Sequence, residues 1–495
     1  MNKRSRILLV AVMAAIVLAG CGKEKKEEKK DTNGFSYTTP TPTEAVTNGE
    51  RAATPSPTPT PRDLKGLNFT VADWWAEEDW DDPKNNMYMV EWLEEMEEKE
   101  KTYHFSLSRR NPKWNYGTEY TAKVAETIRD DNPVGSVITV DLKNVGKLLR
   151  DGCLTDLSKV TTVDWKDEKW NWNNFLTKML NINGGQYGIG WEENVPGLGI
   201  LFNKKVFDEL GVNPELPYDL QKSTGTSPEN NLLHEDLTWS WSRFTELCGQ
   251  LMKDTDGDGR TDVCPLLADE NLMVYGALLS NGTFVIEQDE NGLLRVNTDD
   301  PAVTEALTFV QNLMRKGYLV TAEEDDITPF LEGKCAMVIV EGTNFPYNTL
   351  ADLEIDYGFV ALPYGPSVGQ TVSAVINDIL YFIPDCDSAR DCLDDIAFAC
   401  DCYFDHAHCM CGDSYVEHDG WKSKYDWRFA DENGFETARR LIFECPKYTN
   451  AANLLADFDD SWVSEILDGR DINQVLASHE ADWQKQVDEF NMLFD

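Results

Sequence analysis

Short apolar runs alternate with amphipathic helical patterns along most of the chain, and this alternation constrains the fold more than any other feature. Polar and apolar residues alternate over 67–72, which predicts a strand, and the pattern over 86–101 predicts a helix. Further strands are predicted at 103–107, 137–140, 336–340 and 358–362, and further helices at 120–129, 302–316 and 472–490. Strands that alternate with helices favour an α/β fold with parallel sheets.

The length and the net charge of the chain limit its number of domains and the kinds of ligand it can bind. The chain has 495 residues, which suits two or three domains. Lys and Arg number 45 against 87 Asp and Glu, so the net charge is −42. This charge argues against a nucleic-acid partner, because phosphate binding needs clustered basic side chains. It favours divalent cations and neutral or cationic ligands.

The first twenty residues are typical of a secretory signal peptide. Lys3, Arg4 and Arg6 precede an apolar run at 7–17 that is too short to span a bilayer comfortably. The sequence Leu-Ala-Gly-Cys at 18–21 resembles the lipobox of bacterial lipoproteins. That resemblance implies cleavage after residue 20, acylation of Cys21, and anchoring at the extracytoplasmic face of the cell membrane. A plain signal peptide or an N-terminal anchor is the alternative.

Residues 21–63 are predicted to form a disordered linker behind the lipidated cysteine. Residues 23–30 are charged throughout and residues 38–61 are rich in Thr and Pro, a composition that cannot bury apolar surface. The folded part is expected to begin near Leu64.

Several motifs occur in a recognisable order. They are Tyr-Gly-Ile-Gly-Trp at 187–191, Gly-Ile-Leu-Phe-Asn-Lys at 199–204, Thr-Trp-Ser-Trp-Ser-Arg-Phe at 238–244, Phe-Leu-Glu-Gly-Lys-Cys-Ala-Met at 330–337 and Tyr-Gly-Phe-Val-Ala-Leu-Pro at 357–363. Together they resemble the family 1 extracellular solute-binding proteins of ABC importers, the group that includes maltose-binding protein. The resemblance covers about residues 66–495. Trp239, Phe244, Ala336 and Met337 are expected in the core.

The resemblance implies a two-lobed, periplasmic-binding-protein-like α/β fold of type II, with the ligand in a cleft between the lobes. Lobe one is expected at 66–190 plus 365–418, and lobe two at 195–362 plus 419–495. Hinge motion would close the cleft around the ligand.

The implied function is that of a monomeric, lipid-anchored receptor without a catalytic step. It would bind a carbohydrate, an oligosaccharide in our interpretation, and deliver it to the transmembrane subunits of an ABC permease. Two alternatives stay open. One is an extracellular glycoside hydrolase, which needs two carboxylates about 5–10 Å apart. The other is a carbohydrate sensor or lectin on the same fold.

Candidate ligand-binding residues come first from the rule that ligands sit beyond the carboxyl ends of strands in open α/β sheets. That rule selects Trp74 and Trp75 after the first strand and Asp141 after the strand at 137–140. Aromatic rings suit the apolar faces of sugars, and carboxylates suit their hydroxyls. The alternatives are core packing for the tryptophans and a helix cap for Asp141.

The resemblance adds further candidates by position. It implies ligand contacts for Trp191 and Glu192 after the first hinge strand, for Asn271, and for Asn344 and Phe345 in a glycine turn. Two more candidates come from the pattern itself: Asp378, which interrupts an apolar run, and Trp421, in an aromatic-rich segment.

The segment 254–262 matches a calcium-binding loop. Asp254, Asp256, Asp258 and Asp262 supply carboxylates at the spacing of an EF-hand loop, and Arg260 supplies a backbone carbonyl. Position twelve is Pro265 rather than a bidentate Glu, which predicts weaker binding of Ca²⁺. The alternative is a metal-free turn rich in Asp and Gly.

Eleven cysteines remain besides Cys21, and six lie within residues 386–411. A zinc cluster with His406 and His408 is disfavoured, because the spacings do not match common zinc hooks. Buried apolar thiols, or one or two disulfides, are the favoured interpretation.

Overall fold

The structure is a computed structural model. It describes residues 62–76, 90–165, 170, 175–190, 197–222, 238–254, 256–259, 261–323, 326–341, 355–374, 379–404 and 429–494.

Two sheets organise the described residues, with short hairpins beside them. The strands are β1 (Leu67–Ala72), β2 (Phe105–Arg110), β3 (Val137–Asp141), β4 (Asn181–Ile182), β5 (Gly185–Gln186), β6 (Ile189–Gly190), β7 (Gly199–Asn203), β8 (Cys264–Asp269), β9 (Ile286–Gln288), β10 (Leu294–Val296), β11 (Leu319–Ala322), β12 (Cys335–Val340), β13 (Tyr357–Ala361), β14 (Ser373–Ala374), β15 (Ile379–Phe382) and β16 (Lys447–Tyr448).

Helices cover these sheets. They are α1 (Val90–Tyr103), α2 (Thr118–Arg129), α3 (Leu142–Arg150), α4 (Phe175–Met179), α5 (Lys204–Glu209), α6 (Leu216–Lys222), α7 (Trp241–Leu251), α8 (Glu270–Ser280), α9 (Pro301–Arg315), α10 (Thr328–Leu331), α11 (Asp387–Arg390), α12 (Leu393–Phe404), α13 (Glu432–Phe443), α14 (Ser461–Leu467) and α15 (Ile472–Asn491). Short 3-10 turns lie at Leu157–Lys159 and Ala451–Leu454.

Sheet one has the strand order β2-β1-β3-β15-β6. Strands β1, β2 and β3 are parallel, and β15 lies antiparallel to both β3 and β6. All five residues of β3 are buried, as expected for a central strand covered on both faces. A strand from late in the sequence therefore completes a sheet built mainly from the first third of the chain.

Sheet two has the order β11-β8-β12-β7-β13. Strands β11, β8 and β12 are parallel, whereas β7 runs antiparallel to β12 and β13. Side chains of this sheet form an apolar cluster with α13, which we name the second apolar cluster. Its members include Leu267, Cys335, Val338, Phe359 and Leu441.

The predicted α/β class is confirmed, but both sheets are mixed, since each combines three parallel strands with two joined by antiparallel pairing. The strand expected at 103–107 was placed too early, because α1 continues to Tyr103 and β2 begins at Phe105. His104, at φ 56, turns the chain between them. Trp239, Phe244, Ala336 and Met337 are each at most 1% exposed, so their expected place in the core is also confirmed.

Segments that run between the two sheets pack closely. The short strand β14 pairs in parallel with β16. Gly197 packs against β14, since a Cβ there would lie 2.6 Å from Ser373 Oγ and 2.8 Å from Ala374 O. The predicted lobe boundaries stay a prediction.

Among the described helices, none combines the length and the apolar character needed to cross a membrane.

Helix α3 is held against the 3-10 turn at 451–454 through a glycine. A Cβ at Gly146 would lie 2.7 Å from the carbonyl carbon of Leu454 and 2.9 Å from that of Leu455. Since both are backbone atoms, they can give way only if the turn itself moves. This contact fixes α3, which carries Lys143 and Lys147.

We predict that Gly146→Ala destabilises the protein by about 1–3 kcal/mol, because the added methyl group overpacks this contact. Glycine-to-alanine changes inside helices otherwise stabilise. Gly249→Ala in α7 is the control, since its Cβ would meet the end of the Tyr318 side chain, with the hydroxyl at 3.0 Å, rather than backbone. Chemical denaturation measures both. If Gly146→Ala lost no more stability than Gly249→Ala, this account of the contact would be contradicted.

Candidate functional site

Carboxyl ends of parallel strands from both sheets, β3 of sheet one and β8, β11 and β12 of sheet two, converge on one cleft. Lys143 follows β3 of sheet one, whereas Asn271, Glu323 and Glu341 follow β8, β11 and β12 of sheet two. All four line the cleft. This is the position at which open α/β sheets bind ligands.

The described residues enclose two compartments of this cleft. The larger, of about 320 Å³, is lined by Lys147, Tyr275, Tyr448, Asn450 and Asp460 among others. The smaller, of about 160 Å³, is lined by acidic residues that include Asp269 and Asp326. Lys143, Asn271, Leu272 and Glu341 line both compartments. The cleft thus brings the lysines of α3, which follows sheet one, opposite Asn271 and Glu341, which follow strands of sheet two.

A tyrosine–aspartate pair forms one wall of the larger compartment. The Tyr275 hydroxyl donates a hydrogen bond to the Asp460 carboxylate. Partial desolvation raises the pKa of Asp460, although the Tyr275 hydroxyl and the charge of Lys143 act against that rise. Desolvation also raises the pKa of Tyr275, and the Asp460 charge adds to this effect. The pair therefore presents a fixed acceptor to the cleft.

Asn271 is placed in the cleft by the cap of α8. The Asp269 carboxylate accepts hydrogen bonds from the backbone N–H groups of Asn271 at 2.8 Å and Leu272 at 3.0 Å. This N-cap fixes the first turn of α8, and the Asn271 side chain is exposed there.

Trp74 and Trp75 lie at the same edge of sheet one, directly after β1. Their rings meet edge to face at 4.6 Å, and Tyr116 lies 4.8 Å from Trp74. Trp75 is 38% exposed and Tyr116 60% exposed, so an aromatic surface faces solvent at this edge. Neither tryptophan lines the two compartments that the described residues enclose. Their role in ligand binding stays a prediction.

A buried ion pair fixes these tryptophans. Asp73 is fully buried, and its carboxylate lies 2.6 Å from Arg109 Nη2 of β2. The same carboxylate accepts hydrogen bonds from the backbone N–H groups of Trp75, at 3.1 Å, and Ala76. Asn111 Nδ2 also donates to Trp74 O at 2.8 Å. The turn after β1 is thus tied to β2.

Asp141 occupies the N-cap position of α3 and is 3% exposed. Its carboxylate accepts a hydrogen bond from Asn144 Nδ2 at 2.7 Å. The structure therefore places this side chain beneath the surface at the start of α3, and a ligand contact for it stays a prediction.

Six candidate ligand-binding residues lie outside the described residues. They are Trp191, Glu192, Asn344, Phe345, Asp378 and Trp421. Cys21 with the predicted signal peptide and linker, and Arg260 of the predicted calcium loop, also lie outside.

Several cleft residues were missed by sequence reasoning. Lys143, Tyr275 and Asp460 carry no motif of their own, because their positions depend on how the two sheets meet. Tyr116, beside Trp74 at the edge of sheet one, had a readable signal, since the segment 114–120 is rich in aromatic residues.

A second, larger cavity of about 670 Å³ lies at the hairpins β4–β5 and β9–β10. Its lining includes Trp165, Asn181, Phe284, Gln288 and Tyr448. We favour the cleft as the functional site, because only the cleft collects the carboxyl ends of parallel strands from both sheets.

The aspartate loop at 254–262 brings three of its predicted ligands together. Asp254, Asp256 and Asp262 each place a carboxylate oxygen within 4.8 Å of the others, and all three are exposed. The Asp258 side chain is not part of this group, although its N–H donates to Asp256 Oδ1 at 3.0 Å. An isolated bridge between Lys253 and Val263 closes the neck of the loop. An exposed set of carboxylate oxygens suits a hard cation.

Three cysteines of the cysteine-rich segment lie in the core, as the interpretation of buried apolar side chains expects. Cys386, Cys400 and Cys402 of the cysteine-rich segment are buried. Cys409, Cys411, His406 and His408 lie outside the described residues.

The sequence profile described as "Bacterial extracellular solute-binding protein" matches residues 98–391, more than half of the chain. The chain belongs to this family. Its members are binding proteins with an extracytoplasmic location. No curated protein sequence matches the chain.

Solved structures of solute-binding proteins share the fold. The cyclic alpha-maltosyl-1,6-maltose binding protein of Arthrobacter globiformis superposes with a TM-score of 0.53 at 14% identity, covering 87% of this chain and 99% of its own. An extracellular solute-binding protein of Staphylococcus aureus, in complex with maltose, gives 0.55 at 11% identity, covering 86% and 98%. UgpB of Mycobacterium tuberculosis, in complex with glycerophosphocholine, gives 0.50 at 17% identity, covering 85% and 98%. The two-lobed, periplasmic-binding-protein-like fold predicted from sequence is thereby confirmed.

We predict that Arg109→Met destabilises the solute-binding protein by about 3–5 kcal/mol, because it leaves the Asp73 carboxylate buried without a counter-charge. The double variant Asp73→Asn with Arg109→Met should recover part of that loss. Arg129→Met is the control, since Arg129 pairs with Asp151 at the surface and its loss should cost less than about 1 kcal/mol. Urea denaturation measures all three. An Arg109 variant no less stable than the control would contradict the role of this ion pair.

Proposed function

We propose that the protein captures a carbohydrate in the cleft between its two sheets and delivers it to an ABC permease without catalysing a reaction. The observation that carries the proposal is the convergence of strand ends from both sheets on one polar cleft, in a chain of the extracellular solute-binding family. Two of the fold neighbours were solved as sugar-binding proteins.

The chemistry of the cleft supports a ligand rich in hydroxyl groups. Carboxylates accept hydrogen bonds from hydroxyls, whereas lysines and amide N–H groups donate to hydroxyl oxygens. Glu341 and Asp460 supply carboxylate acceptors. Lys143 and Lys147 supply donors, and the Asn271 amide supplies both a donor and an acceptor. Trp75 and Tyr116, at the edge of sheet one, would stack on the apolar face of a sugar ring.

Closure would bring these groups onto the ligand from both sides. The segments that cross between the sheets, near Gly197 and at the β14–β16 pair, are the proposed hinge. Acylation at Cys21 and the linker of residues 21–63 would keep the receptor, a monomer in this proposal, beside its permease.

We predict that one class of neutral sugar raises the melting temperature of the protein, because a ligand at about one hundred times its Kd adds ~2.7 kcal/mol to the folded state. The screen uses mono- and oligosaccharides, with glycerophosphocholine and a polyamine as competing classes. For a sugar that shifts the melting temperature, Lys143→Met and Tyr275→Phe should each weaken binding about tenfold or more by calorimetry. Lys485→Met on α15 is the control, since Lys485 pairs with Glu489 at the surface.

The results of the ligand screen and of the variants distinguish the carbohydrate receptor from other functions and the cleft from other sites. A shift with glycerophosphocholine or the polyamine alone would contradict the carbohydrate proposal. Equal affinity in the cleft variants and the control would contradict the proposed site. Hydrolysis of the bound sugar at enzymatic rates would favour the glycoside hydrolase.

We also propose that the loop at 254–262 binds Ca²⁺ as a structural brace before β8. Asp254, Asp256 and Asp262 would hold the ion, with Asp258 and Arg260 as the further ligands expected from the sequence.

For this loop we predict that Ca²⁺ raises the melting temperature of the chelator-treated protein, and that Asp256→Asn weakens this response about tenfold in Ca²⁺ concentration. Asp468→Asn, at the exposed end of α14, is the matched control and should respond like the unmodified protein. If Ca²⁺ left the melting temperature unchanged, or raised it equally in the Asp256→Asn and Asp468→Asn variants, the loop would be a metal-free turn.

A further inference from the structure

Two cysteines face each other at the start of neighbouring parallel strands in sheet two. The register of β8 and β12 pairs Cys264 with Cys335 directly. The Cys264 N–H donates to Lys334 O at 2.9 Å, which fixes this alignment. Neighbouring strands lie about 4.8 Å apart. That spacing falls within the range of about 4.4–6.8 Å between Cα atoms that a disulfide accepts.

Both thiols also lie on the same face of the sheet. Cys335, which is 2% exposed, is a member of the second apolar cluster, and the half-buried Cys264 packs against that cluster. Burial and the adjacent Cys264 raise the pKa of the Cys335 thiol to about 12. The register and the shared cluster together place the two cysteines beside each other on neighbouring strands, against the same apolar residues.

We propose that Cys264 and Cys335 are an oxidation site, at which a small-molecule or protein disulfide converts the two thiols to a cross-strand disulfide outside the cytoplasm. Disulfides persist in oxidising extracytoplasmic compartments, which is where this family functions. The inference rests on the register of these two strands.

The step balances as two thiol–disulfide exchanges. Cys264, the more accessible of the two, loses its proton and attacks one sulfur of the oxidant, which releases one thiol and leaves a mixed disulfide. Cys335 then loses its proton and attacks the Cys264 sulfur, which releases the second thiol. The protein loses two electrons and two protons, and the oxidant is reduced to two thiols.

The bond would brace the floor of the cleft. Strand β8 ends beside Asn271 and β12 ends beside Glu341, so a link between their first residues ties together the two strands that carry these cleft groups. Because the link also closes a long loop in the unfolded chain, it should stabilise the fold.

The test treats the folded protein with oxidised glutathione, blocks remaining thiols with iodoacetamide under denaturing conditions, and maps peptides by mass spectrometry without reduction. We expect a Cys264–Cys335 cross-linked peptide with the loss of two hydrogen masses. We also expect a melting temperature raised by roughly 5 °C that dithiothreitol reverses.

Cys264→Ser should abolish both the cross-link and the dithiothreitol-sensitive shift. Cys445→Ser is the matched control, because Cys445 is half-buried against the same apolar cluster and should leave both readouts unchanged. Full alkylation of Cys264 and Cys335 after oxidation would overturn the proposal. A bond from either cysteine to Cys445 or to any other cysteine would overturn it as well.

Discussion

The insertion of β15 between β3 and β6 is the constraint on which the architecture depends. An inner strand must satisfy its backbone hydrogen bonds on both sides, so sheet one is incomplete until the chain has built sheet two and returned. The chain must therefore cross between the sheets more than once. Those crossings bring the carboxyl ends of two sets of parallel strands to one cleft, with Lys143 on one side and Asn271 and Glu341 on the other.

Local contacts then set the details of the site. The buried Asp73–Arg109 pair holds the turn that carries Trp74 and Trp75. The Asp269 cap orients the first turn of α8, and Gly146 allows α3 to approach a backbone turn from the C-terminal part of the chain. Each of these contacts joins segments from different parts of the sequence or fixes the residues that follow a strand. The proposed ligand-binding side chains lie at these strand ends.

The sequence was sufficient for the fold class and for β1, β3, β12 and β13, because buried strands such as β3 and β12 are continuous apolar runs. The strand-end rule also placed Trp74 and Trp75 after β1, and the family resemblance selected Asn271 by its position. The sequence could not identify Lys143, Tyr275 or Asp460, since their meeting depends on how α3, α8 and α14 pack across the cleft. The strand expected at 103–107 was misplaced because the pattern of apolar residues does not mark the left-handed turn at His104, at which α1 ends and β2 begins.

A structure of the protein bound to the sugar identified by thermal shift tests the central claim most directly. This account predicts the sugar between Lys143 on one side and Asn271 and Glu341 on the other, with the two sheets closer together than without ligand. A sugar bound instead in the cavity lined by Trp165 and Gln288, with the cleft empty and unchanged, would contradict it.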